Sequence, residues 1–386
     1  MGVDFALIGH QESWRAASDV LAVLRGPEHA PLPDDEIKDI LPWIPPRAVC
    51  HVEIGSGVIS NGGAKAHGLY IDSFIPPDRL RDAYLRDNLA RVRAAASYAI
   101  KAGAKIVSLG GFSSILIEGN FDLLPERRDT VFTTGNTLTV AFIVQGIKKM
   151  CALKEEEGGR ELRRSTLLIV GATGDVGSGC ARCLAPLVRR VLLCARNVER
   201  LRKLGAELEA DGVPVEIATD PQQFSAEADV VICAASLASP SLLLGRIAAD
   251  AIVCDAGYPK NLSPSTEMPG AKIFFGGLGQ VTGGLSFTPD FHGILNRHPF
   301  PDVVHGCLLE GMALALERRY EPFSQGRGFI TPERVVEIET IAARHGIYLA
   351  PLYNGAGPVI FHGWLPTAGP STTHLIPYRN EMLRSG

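Results

Sequence analysis

The feature that most constrains this chain is a strand–turn–helix–strand pattern near its middle. An apolar run over residues 167–170 leads directly into the turn 171–177, which reads Gly-Ala-Thr-Gly-Asp-Val-Gly. An alanine- and leucine-rich helical pattern follows, and a second apolar run, 191–195, completes the span of one βαβ unit. A glycine turn in this context is typical of dinucleotide-binding sheets, so the pattern predicts a bound dinucleotide.

Each glycine of the turn has its own expected role. Gly171 allows the sharp turn, Gly174 lets the backbone approach a pyrophosphate, and Gly177 lets the helix pack closely on the strand. The phosphates would then bind the N–H groups and the positive dipole end of the new helix. The spacing is Gly-x-x-Gly-x-x-Gly, so the flanking strands and helix carry the prediction. The predicted binding residues of the turn are Gly171, Thr173, Gly174, Asp175, Val176 and Gly177.

The end of the second strand indicates which dinucleotide binds. An NAD site usually places Asp or Glu there for the ribose hydroxyls, whereas this chain has Arg196 and Asn197, with Arg200 one turn later. A cation suits a 2′-phosphate, so the sequence favours NADP(H) over NAD. The alternative interpretation is that Arg196 is a solvated loop arginine.

Further strands alternate with helical segments after this unit, which predicts an α/β fold of Rossmann type with a doubly wound, mostly parallel sheet. Ligands of such sheets bind beyond the carboxyl ends of the strands. We therefore expect Ala235, Ser236 and Gly257 to face the nicotinamide. The predicted strands are 215–218, 228–234, 251–255 and 272–277.

The rest of the chain predicts an N-terminal α/β domain and C-terminal helices. The expected division is a substrate or carrier domain over 1–160, a nucleotide domain over 161–290 and a helical segment with an irregular tail over 291–386. Other expected features are strands at 4–10, 49–59, 67–75 and 105–109, helices at 13–24, 78–103, 138–153, 301–320 and 333–345, polar loops at 110–114 and 132–136, and a loop-like stretch at 278–301.

Composition describes an ordinary globular chain and excludes some classes of function. Of its residues, 46% are hydrophobic and 21% charged, and the net charge of −4 argues against a general nucleic-acid surface. No stretch resembles a signal peptide or is long enough to cross a bilayer. The cysteines lack the spacing of a zinc site, so we expect no metal and reduced thiols in a cytoplasmic protein. They are Cys50, Cys151, Cys180, Cys183, Cys194, Cys233, Cys254 and Cys307.

Three clusters compete for the chemistry beside a nicotinamide. Cys307 falls on the apolar face of a predicted helix, so periodicity alone favours a packing cysteine over a nucleophile. The loops around Ser113 and around Thr134 and Asn136 offer hydroxyls and N–H groups for an oxyanion, although ordinary turn chemistry explains them equally well. The third cluster is the Tyr-x-Lys pair Tyr258 and Lys260, which would polarise a carbonyl or lie in a surface turn.

Longer stretches of the sequence resemble one family. In order and spacing, from about residue 5 to 350, the chain resembles the cyanobacterial long-chain acyl-[acyl-carrier-protein] reductases, which make fatty aldehydes from acyl thioesters with NADPH. Residues 26–44, 278–301 and the tail after 352 depart from the family pattern. The matching stretches are 5–10 (Phe-Ala-Leu-Ile-Gly-His), 109–115 (Leu-Gly-Gly-Phe-Ser-Ser-Ile), 132–137 (Phe-Thr-Thr-Gly-Asn-Thr), 171–178, 195–197, 257–261, 307–310 and 323–327.

The resemblance implies a mechanism and partners. The position similar to the family's acyl-accepting cysteine is Cys307, whose thiolate would attack the acyl thioester before NADPH delivers hydride and the aldehyde leaves. Ser113, Thr134 and Asn136 would hold the thioester oxygen. The implied partners are acyl carrier protein or coenzyme A thioesters and an aldehyde-consuming enzyme, with no nucleic acid and no membrane span.

Two other interpretations stay open at this point. One is a cysteine-independent, NADP-dependent dehydrogenase of a small alcohol, ketone or imine that uses Tyr258 or Lys260. The other is a protein that binds NADP(H) without turnover.

Overall fold

The computed structural model describes residues 2–26, 28–58, 63–126, 129–236, 244, 246–263, 268, 270–295, 297–326, 328–361, 364–366 and 375–377. The chain forms two compact units, and both are discontinuous in sequence. The first unit comprises Met1–Leu138, Val281–Phe329 and Ile338–Ile347. The second unit comprises Thr139–Gln280, Ile330–Glu337 and Tyr348–Gly386.

The described residues contain both strands and helices along their whole length. The strands are β1 (Phe5–Gly9), β2 (Arg47–Gly55), β3 (Lys65–Asp72), β4 (Ile106–Leu109), β5 (Val131–Thr133), β6 (Thr166–Val170), β7 (Arg190–Cys194), β8 (Val215–Ala218), β9 (Val230–Cys233), β10 (Ile252–Asp255), β11 (Lys272–Phe275), β12 (Leu278–Val281), β13 (Leu285–Thr288), β14 (Val303–His305), β15 (Ile347–Leu349), β16 (Tyr353–Asn354), β17 (Gly357–Pro358), β18 (Trp364–Pro366) and β19 (Leu375–Pro377). The α-helices are α1 (Trp14–Arg25), α2 (Asp34–Ile40), α3 (Leu85–Lys101), α4 (Phe112–Ile117), α5 (Asn136–Glu156), α6 (Asp175–Leu184), α7 (Val198–Ala210), α8 (His292–Leu295), α9 (Gly306–Leu316) and α10 (Pro332–Arg344).

The first unit is built on a mixed sheet with the strand order β13-β2-β3-β1-β4-β5. The strands β3, β1, β4 and β5 run parallel, whereas β2 and β13 run antiparallel to their neighbours. The carboxyl ends of the four parallel strands therefore share one edge, where α/β proteins place their sites. One face of this sheet forms a core with α3 and α4, which includes Ala6, Ile8, Leu69, Ile71, Val92, Ala95, Ala99, Val107, Leu109 and Leu116.

The other face of the first sheet carries α9. The N–H of Gly311 donates to Ser108 Oγ over 3.1 Å. A Cβ on Gly110 would press against the side chain of Leu308. Because the helix contacts β4 in the reverse order of the strand, α9 runs antiparallel to β4 and begins at the carboxyl edge.

The second unit contains a fully parallel sheet with the order β11-β10-β9-β6-β7-β8. Counted from β6, this is the order 3-2-1-4-5-6 of dinucleotide-binding Rossmann sheets. Its central strands are continuous apolar runs, as expected where helices cover both faces. The structure thus confirms the predicted α/β fold and the predicted strands of this sheet.

One predicted helix begins later than expected. Instead of starting at residue 78, α3 starts at Leu85, after the 3-10 turns Pro77–Arg79 and Asp82–Tyr84. Leu80 has ψ of 58°, which is not helical, so the backbone cannot continue from the first turn. Asn88 Nδ2 donates to the carbonyl of Arg79 over 2.7 Å and holds this arrangement.

Three further expectations about local structure were wrong. The stretch 278–301 contains β12, β13 and α8, and β13 adds to the edge of the first sheet by pairing with β2. A four-residue strand whose partner lies far away in sequence leaves little local signal. The predicted helix at 301–320 is the strand β14 followed by the shorter α9, and the predicted polar loops contain α4 and the end of β5.

The predicted division at residues 160 and 290 concerns function and stays a prediction. The compact units divide the chain elsewhere, since residues 139–160 belong to the second unit and residues 281–329 to the first. In the tail, for which no fold was predicted, β16 pairs with β17 and β18 with β19, both antiparallel.

Candidate active site

Cys307 lies at the amino end of α9, at the carboxyl edge of the first sheet. The residue as a whole is partly exposed. Burial is the largest influence on the pKa of Cys307 and raises it, as does the Glu310 carboxylate. Hydrogen bonds to Sγ from the N–H groups of Gly111, Cys307 and Leu308 lower that pKa. Cys307 is therefore mostly a thiol at neutral pH, and backbone donors are already in place for its thiolate.

The motifs 109–115 and 132–137 both lie close to Cys307. The N–H of Gly111, which follows β4, reaches its sulfur. Gly135, between β5 and α5, has φ of +68°, and a Cβ there would overlap the carbonyl and Cα of Cys307. Gly135 therefore allows the turn and the close approach of the two backbones. The structure brings the predicted polar segments together around the predicted nucleophile.

A buried carboxylate fixes this arrangement. Glu310 lies one turn after Cys307 in α9 and has no exposed surface. It accepts hydrogen bonds from the N–H of Leu138 over 3.0 Å, from Ser324 Oγ over 2.9 Å and from the hydroxyl of Thr133. Because Leu138 is in the first turn of α5, the carboxylate also satisfies an N–H group at that helix end. Glu310 thus ties α9 to the segment that contacts Cys307.

The three predicted oxyanion residues are all buried near these turns. Ser113 is in the first turn of α4, and among the described residues its hydroxyl has no hydrogen-bond partner. The N–H of Thr134 donates to the carbonyl of Ser324 over 2.9 Å, and Thr134 Oγ1 accepts from the N–H of Asn136 over 3.4 Å. Their assignment to the acyl oxygen stays a prediction.

Sequence reasoning missed a polar group at the ends of β1 and β3. Gln11 Nε2 donates to Asp72 Oδ2 over 2.7 Å, and Gln11 also hydrogen-bonds the Tyr70 hydroxyl. Burial raises the pKa of Asp72 to about 6 and raises the pKa of Tyr70 well above its usual value. The available signal was the spacing of Tyr70 and Asp72, which are two residues apart at the carboxyl end of a strand and so share one face.

A histidine links β1 to α4 at the same edge. His10 Nε2 accepts a hydrogen bond from the N–H of Phe112 over 3.1 Å, and the two rings meet edge to face. Burial lowers the pKa of His10, so the imidazole is neutral at neutral pH. Because Nε2 accepts a hydrogen bond, the proton lies on Nδ1.

The glycine turn of the second unit has the predicted geometry at two of its three glycines. Gly171 has φ of +85°, and a Cβ there would overlap the carbonyl of Ala234. A Cβ on Gly177 would overlap the carbonyl of Gly171, so only glycine allows this approach. A Cβ on Gly174 would meet only the Gly171 carbonyl oxygen at 3.5 Å, so this face of the turn has room for a ligand. Thr173, Gly174 and Val176 are partly exposed, whereas Asp175 is buried.

The residues after β7 are exposed, as a contact to a ribose phosphate requires. Arg196, Asn197 and Arg200 all lie on the surface. Asn197 caps α7, because its Oδ1 accepts a hydrogen bond from the N–H of Arg200 over 3.0 Å. A structural role is therefore visible for Asn197, and the cofactor roles of these residues stay predictions.

The loops after β9 and β10 are joined at the carboxyl edge of the second sheet. Asn261 accepts from the N–H of Ala235 and donates to its carbonyl, each over 2.8 Å. The buried Asp255 accepts hydrogen bonds from the N–H groups of Gly257, Asn261 and Leu262. The structure thus places the predicted Ala235 and Gly257 side by side through two residues that sequence reasoning did not single out.

Tyr258, Lys260 and Ser236 belong to these same loops. Lys260 Nζ donates to the carbonyl of Asp255 over 3.2 Å and lies 4.8 Å from the ring centre of Phe275. Tyr258 and Lys260 are partly exposed and Ser236 is exposed. The ammonium of Lys260 thus already has partners at the ends of β10 and β11, which favours a structural role.

Three further observations concern the cysteines, metal ligands and membrane spans of the described residues. All eight cysteines are free thiols. The described residues hold no group of three or more His, Cys, Asp or Glu that is arranged for a metal ion. Among those same residues, no helix combines the length and apolar character needed to span a membrane.

Comparison with curated proteins finds a relative along almost the whole chain. The long-chain acyl-[acyl-carrier-protein] reductase of Synechococcus elongatus is 33% identical over 358 residues, which cover 89% of this chain and 97% of the relative. The aminotransferase PigE of a Serratia species is 24% identical over 264 residues, which cover 66% of this chain and 29% of that protein. No family model matches the chain.

Two solved structures are similar to parts of the chain. L-tryptophan dehydrogenase from Nostoc punctiforme is 12% identical with a TM-score of 0.30, over 68% of this chain and 64% of that one. The iminosuccinate reductase of Paracoccus denitrificans is 20% identical with a TM-score of 0.24, over 31% of this chain and 38% of that one.

Proposed function

Because the chain belongs to the family of the long-chain acyl-[acyl-carrier-protein] reductases and is an oxidoreductase, we propose that it reduces an acyl thioester to an aldehyde with NADPH, through an acyl-enzyme on Cys307. The acyl donor is a thioester of acyl carrier protein or of coenzyme A. A protein that consumes the aldehyde would be a natural partner in the cytoplasm.

The observation that carries this proposal is the setting of Cys307. The residue is partly exposed and lies at the amino end of α9, and its sulfur accepts hydrogen bonds from three backbone N–H groups. These donors stabilise the thiolate that attacks, while burial keeps the resting group protonated. Ser113, Thr134 and Asn136 would hold or orient the acyl group in the turns around it.

The glycine turn of the second unit fits NADPH. The open face of Gly174 and the amino end of α6 would bind the pyrophosphate, and Arg196 and Arg200 would bind the 2′-phosphate. NADPH bound there supplies the hydride that converts the acyl group to an aldehyde and frees Cys307. Ala235, Ser236 and Gly257 would line the nicotinamide side.

A mostly apolar cavity of about 590 Å³ in the first unit suits the acyl chain. It lies beyond the carboxyl end of β3, where Phe74 follows Asp72 by two residues. Its volume is within the range of small-molecule sites, and apolar walls favour a hydrocarbon over a polar substrate. Its apolar lining comprises Leu21, Leu24, Leu32, Ile40, Trp43, Ile44, Pro45 and Phe74.

The test is a panel of acyl carrier protein and coenzyme A thioesters of several chain lengths. We expect aldehyde, NADPH oxidation and an acyl adduct at Cys307 by intact-protein mass spectrometry. Cys307→Ala should lose all three, whereas Cys183→Ala, which changes another partly exposed cysteine, should keep them. Full activity in Cys307→Ser would instead favour the dehydrogenase that uses Tyr258 or Lys260. NADPH binding without any turnover would favour a non-catalytic protein.

A further inference from the structure

Tyr70 of β3 lies on the face of the first sheet that α9 covers. In the parallel pairing, Leu7 of β1 is in register with Tyr70 of β3 on one side and with Ser108 of β4 on the other. Residues in register across parallel strands point to the same face. Ser108 Oγ binds the N–H of Gly311 in α9, so Tyr70 also faces the helix that carries Cys307.

The hydroxyl of Tyr70 lies over the end of β1, on the side of β3 on which β4 also lies. A Cβ on Gly9, the last residue of β1, would overlap Tyr70 Oη, so glycine leaves the room that the phenol occupies. The next strand in this direction is β4, and it ends beside Gly110, which packs against Leu308, the neighbour of Cys307. Tyr70 is almost completely buried, with 6% of its surface exposed.

The surroundings of Tyr70 keep its proton in place. Burial and the nearby groups Asp72, Cys50 and Cys307 raise the pKa of Tyr70, and the hydrogen bond from Gln11 lowers it by a smaller amount. Gln11 Nε2 also donates to Asp72 Oδ2, which fixes the amide. A phenol oxygen that accepts from Gln11 still has its own O–H to donate to another group.

We propose that Tyr70 Oη donates a hydrogen bond to the acyl oxygen of the thioester while Cys307 attacks, with Gln11 and Asp72 holding the phenol in position. This inference rests on the proposed function. It adds a catalytic residue on β3, on the sheet face that α9 covers. This residue lies outside the predicted polar loops 110–114 and 132–136.

Acyl transfer to Cys307 leaves Tyr70 chemically unchanged, because the phenol keeps its proton throughout. Cys307 Sγ forms a bond to the acyl carbon, and the π pair of the carbonyl moves onto its oxygen, where Tyr70 donates. The pair returns as the carbon–sulfur bond to the carrier breaks, and the proton lost by Cys307 goes to the departing thiolate. A neutral donor placed in advance in a site with little water stabilises that oxyanion without reorganisation.

The test compares two reactions of Cys307 in Tyr70→Phe, without NADPH. Acylation by palmitoyl-coenzyme A and palmitoyl-acyl carrier protein passes through an oxyanion, whereas alkylation by iodoacetamide does not. We expect acylation, followed by intact-protein mass spectrometry, to slow by about 10²–10³-fold, as for the loss of one oxyanion donor. Alkylation at Cys307 should keep the wild-type rate, which also shows that the site is folded. Tyr98→Phe, on the surface of α3, is the matched control.

Each other outcome overturns a defined claim. Acylation of Tyr70→Phe at the wild-type rate would show that the phenol does not contact the acyl oxygen. An equal loss of acylation and alkylation would show that Tyr70 only positions Cys307. If wild-type protein is alkylated but no thioester acylates it, the proposed function itself fails, and the role of Tyr70 with it. Gln11→Met should slow acylation alone and by a smaller factor, and an unchanged rate would remove Gln11 from the arrangement.

Discussion

At the scale of single residues, Asp72 shows how the candidate site opposes stability. The group has no exposed surface, and its pKa of about 6 lies above the usual 3.8. The folded state therefore binds more protons than the unfolded state between these pH values, so stability falls as pH rises through this window. A shift of this size corresponds to about 3 kcal/mol at most.

Asp72→Asn should remove this effect. The amide oxygen can still accept from the N–H of Phe74, while no charge has to be buried. We expect the variant to be about 1–3 kcal/mol more stable than wild type at pH 8, with a smaller difference at pH 4. Urea unfolding at several pH values measures this. Asp39→Asn, at an exposed carboxyl on α2, should leave the pH dependence unchanged, and an equally steep curve in Asp72→Asn would contradict the assignment.

At the scale of elements, the amino end of α9 is held by contacts that only glycine permits. Gly135 has φ of +68° and lies against the backbone of Cys307, whereas Gly119 has φ of +78° with open space around it. Alanine in a left-handed conformation costs about 1–2 kcal/mol at either position. Only at Gly135 must the backbone around Cys307 also move.

Gly135→Ala should therefore lower both stability and the reactivity of Cys307. We expect a loss of stability beyond that of Gly119→Ala, and slower alkylation and acylation of Cys307 in the protein that remains folded. Gly119→Ala should lose only the conformational cost and react at the wild-type rate. Thermal unfolding together with alkylation kinetics separates the two effects, and matching behaviour of the variants would refute the role of Gly135.

Elements with strong local patterns could be predicted from the sequence, and those that depend on distant partners could not. The apolar runs of β6, β9 and β10 predict their strands because burial on both faces requires such runs. The motifs around Gly110 and Gly135 could be connected to Cys307 only through a family resemblance. Nothing local indicates that β13 pairs with β2, or which face of β3 carries Tyr70, since both depend on packing between segments far apart in sequence.

At the scale of the whole molecule, the residues assigned to acyl transfer and those assigned to the dinucleotide belong to different units. Cys307 and Tyr70 lie in the first unit, whereas the glycine turn and Arg196 lie in the second. Acyl transfer from the thioester needs no hydride, so the two activities should respond separately to substitution.

Arg196→Ala should weaken NADPH binding and leave acylation of Cys307 intact. A lost charge-assisted hydrogen bond to a phosphate is worth about 1.5–3 kcal/mol, so we expect an increase of at least tenfold in the dissociation constant for NADPH and little change for NADH. Cofactor titration and adduct formation measure the two activities. Arg202→Ala, at an exposed position on α7, should change neither. An equal loss of acylation in Arg196→Ala would contradict this division.

The discontinuity of the first unit also sets an order of events on the ribosome. Residues 1–138 emerge first, but the edge strand β13 and the helix that carries Cys307 follow only after the parallel sheet of the second unit has been made. Until then the side of β2 that later pairs with β13 has no partner strand, so it is exposed to pairing with other nascent chains. The proposed nucleophile thus enters the chain late, so a nascent chain that still lacks α9 cannot carry an acyl group on Cys307.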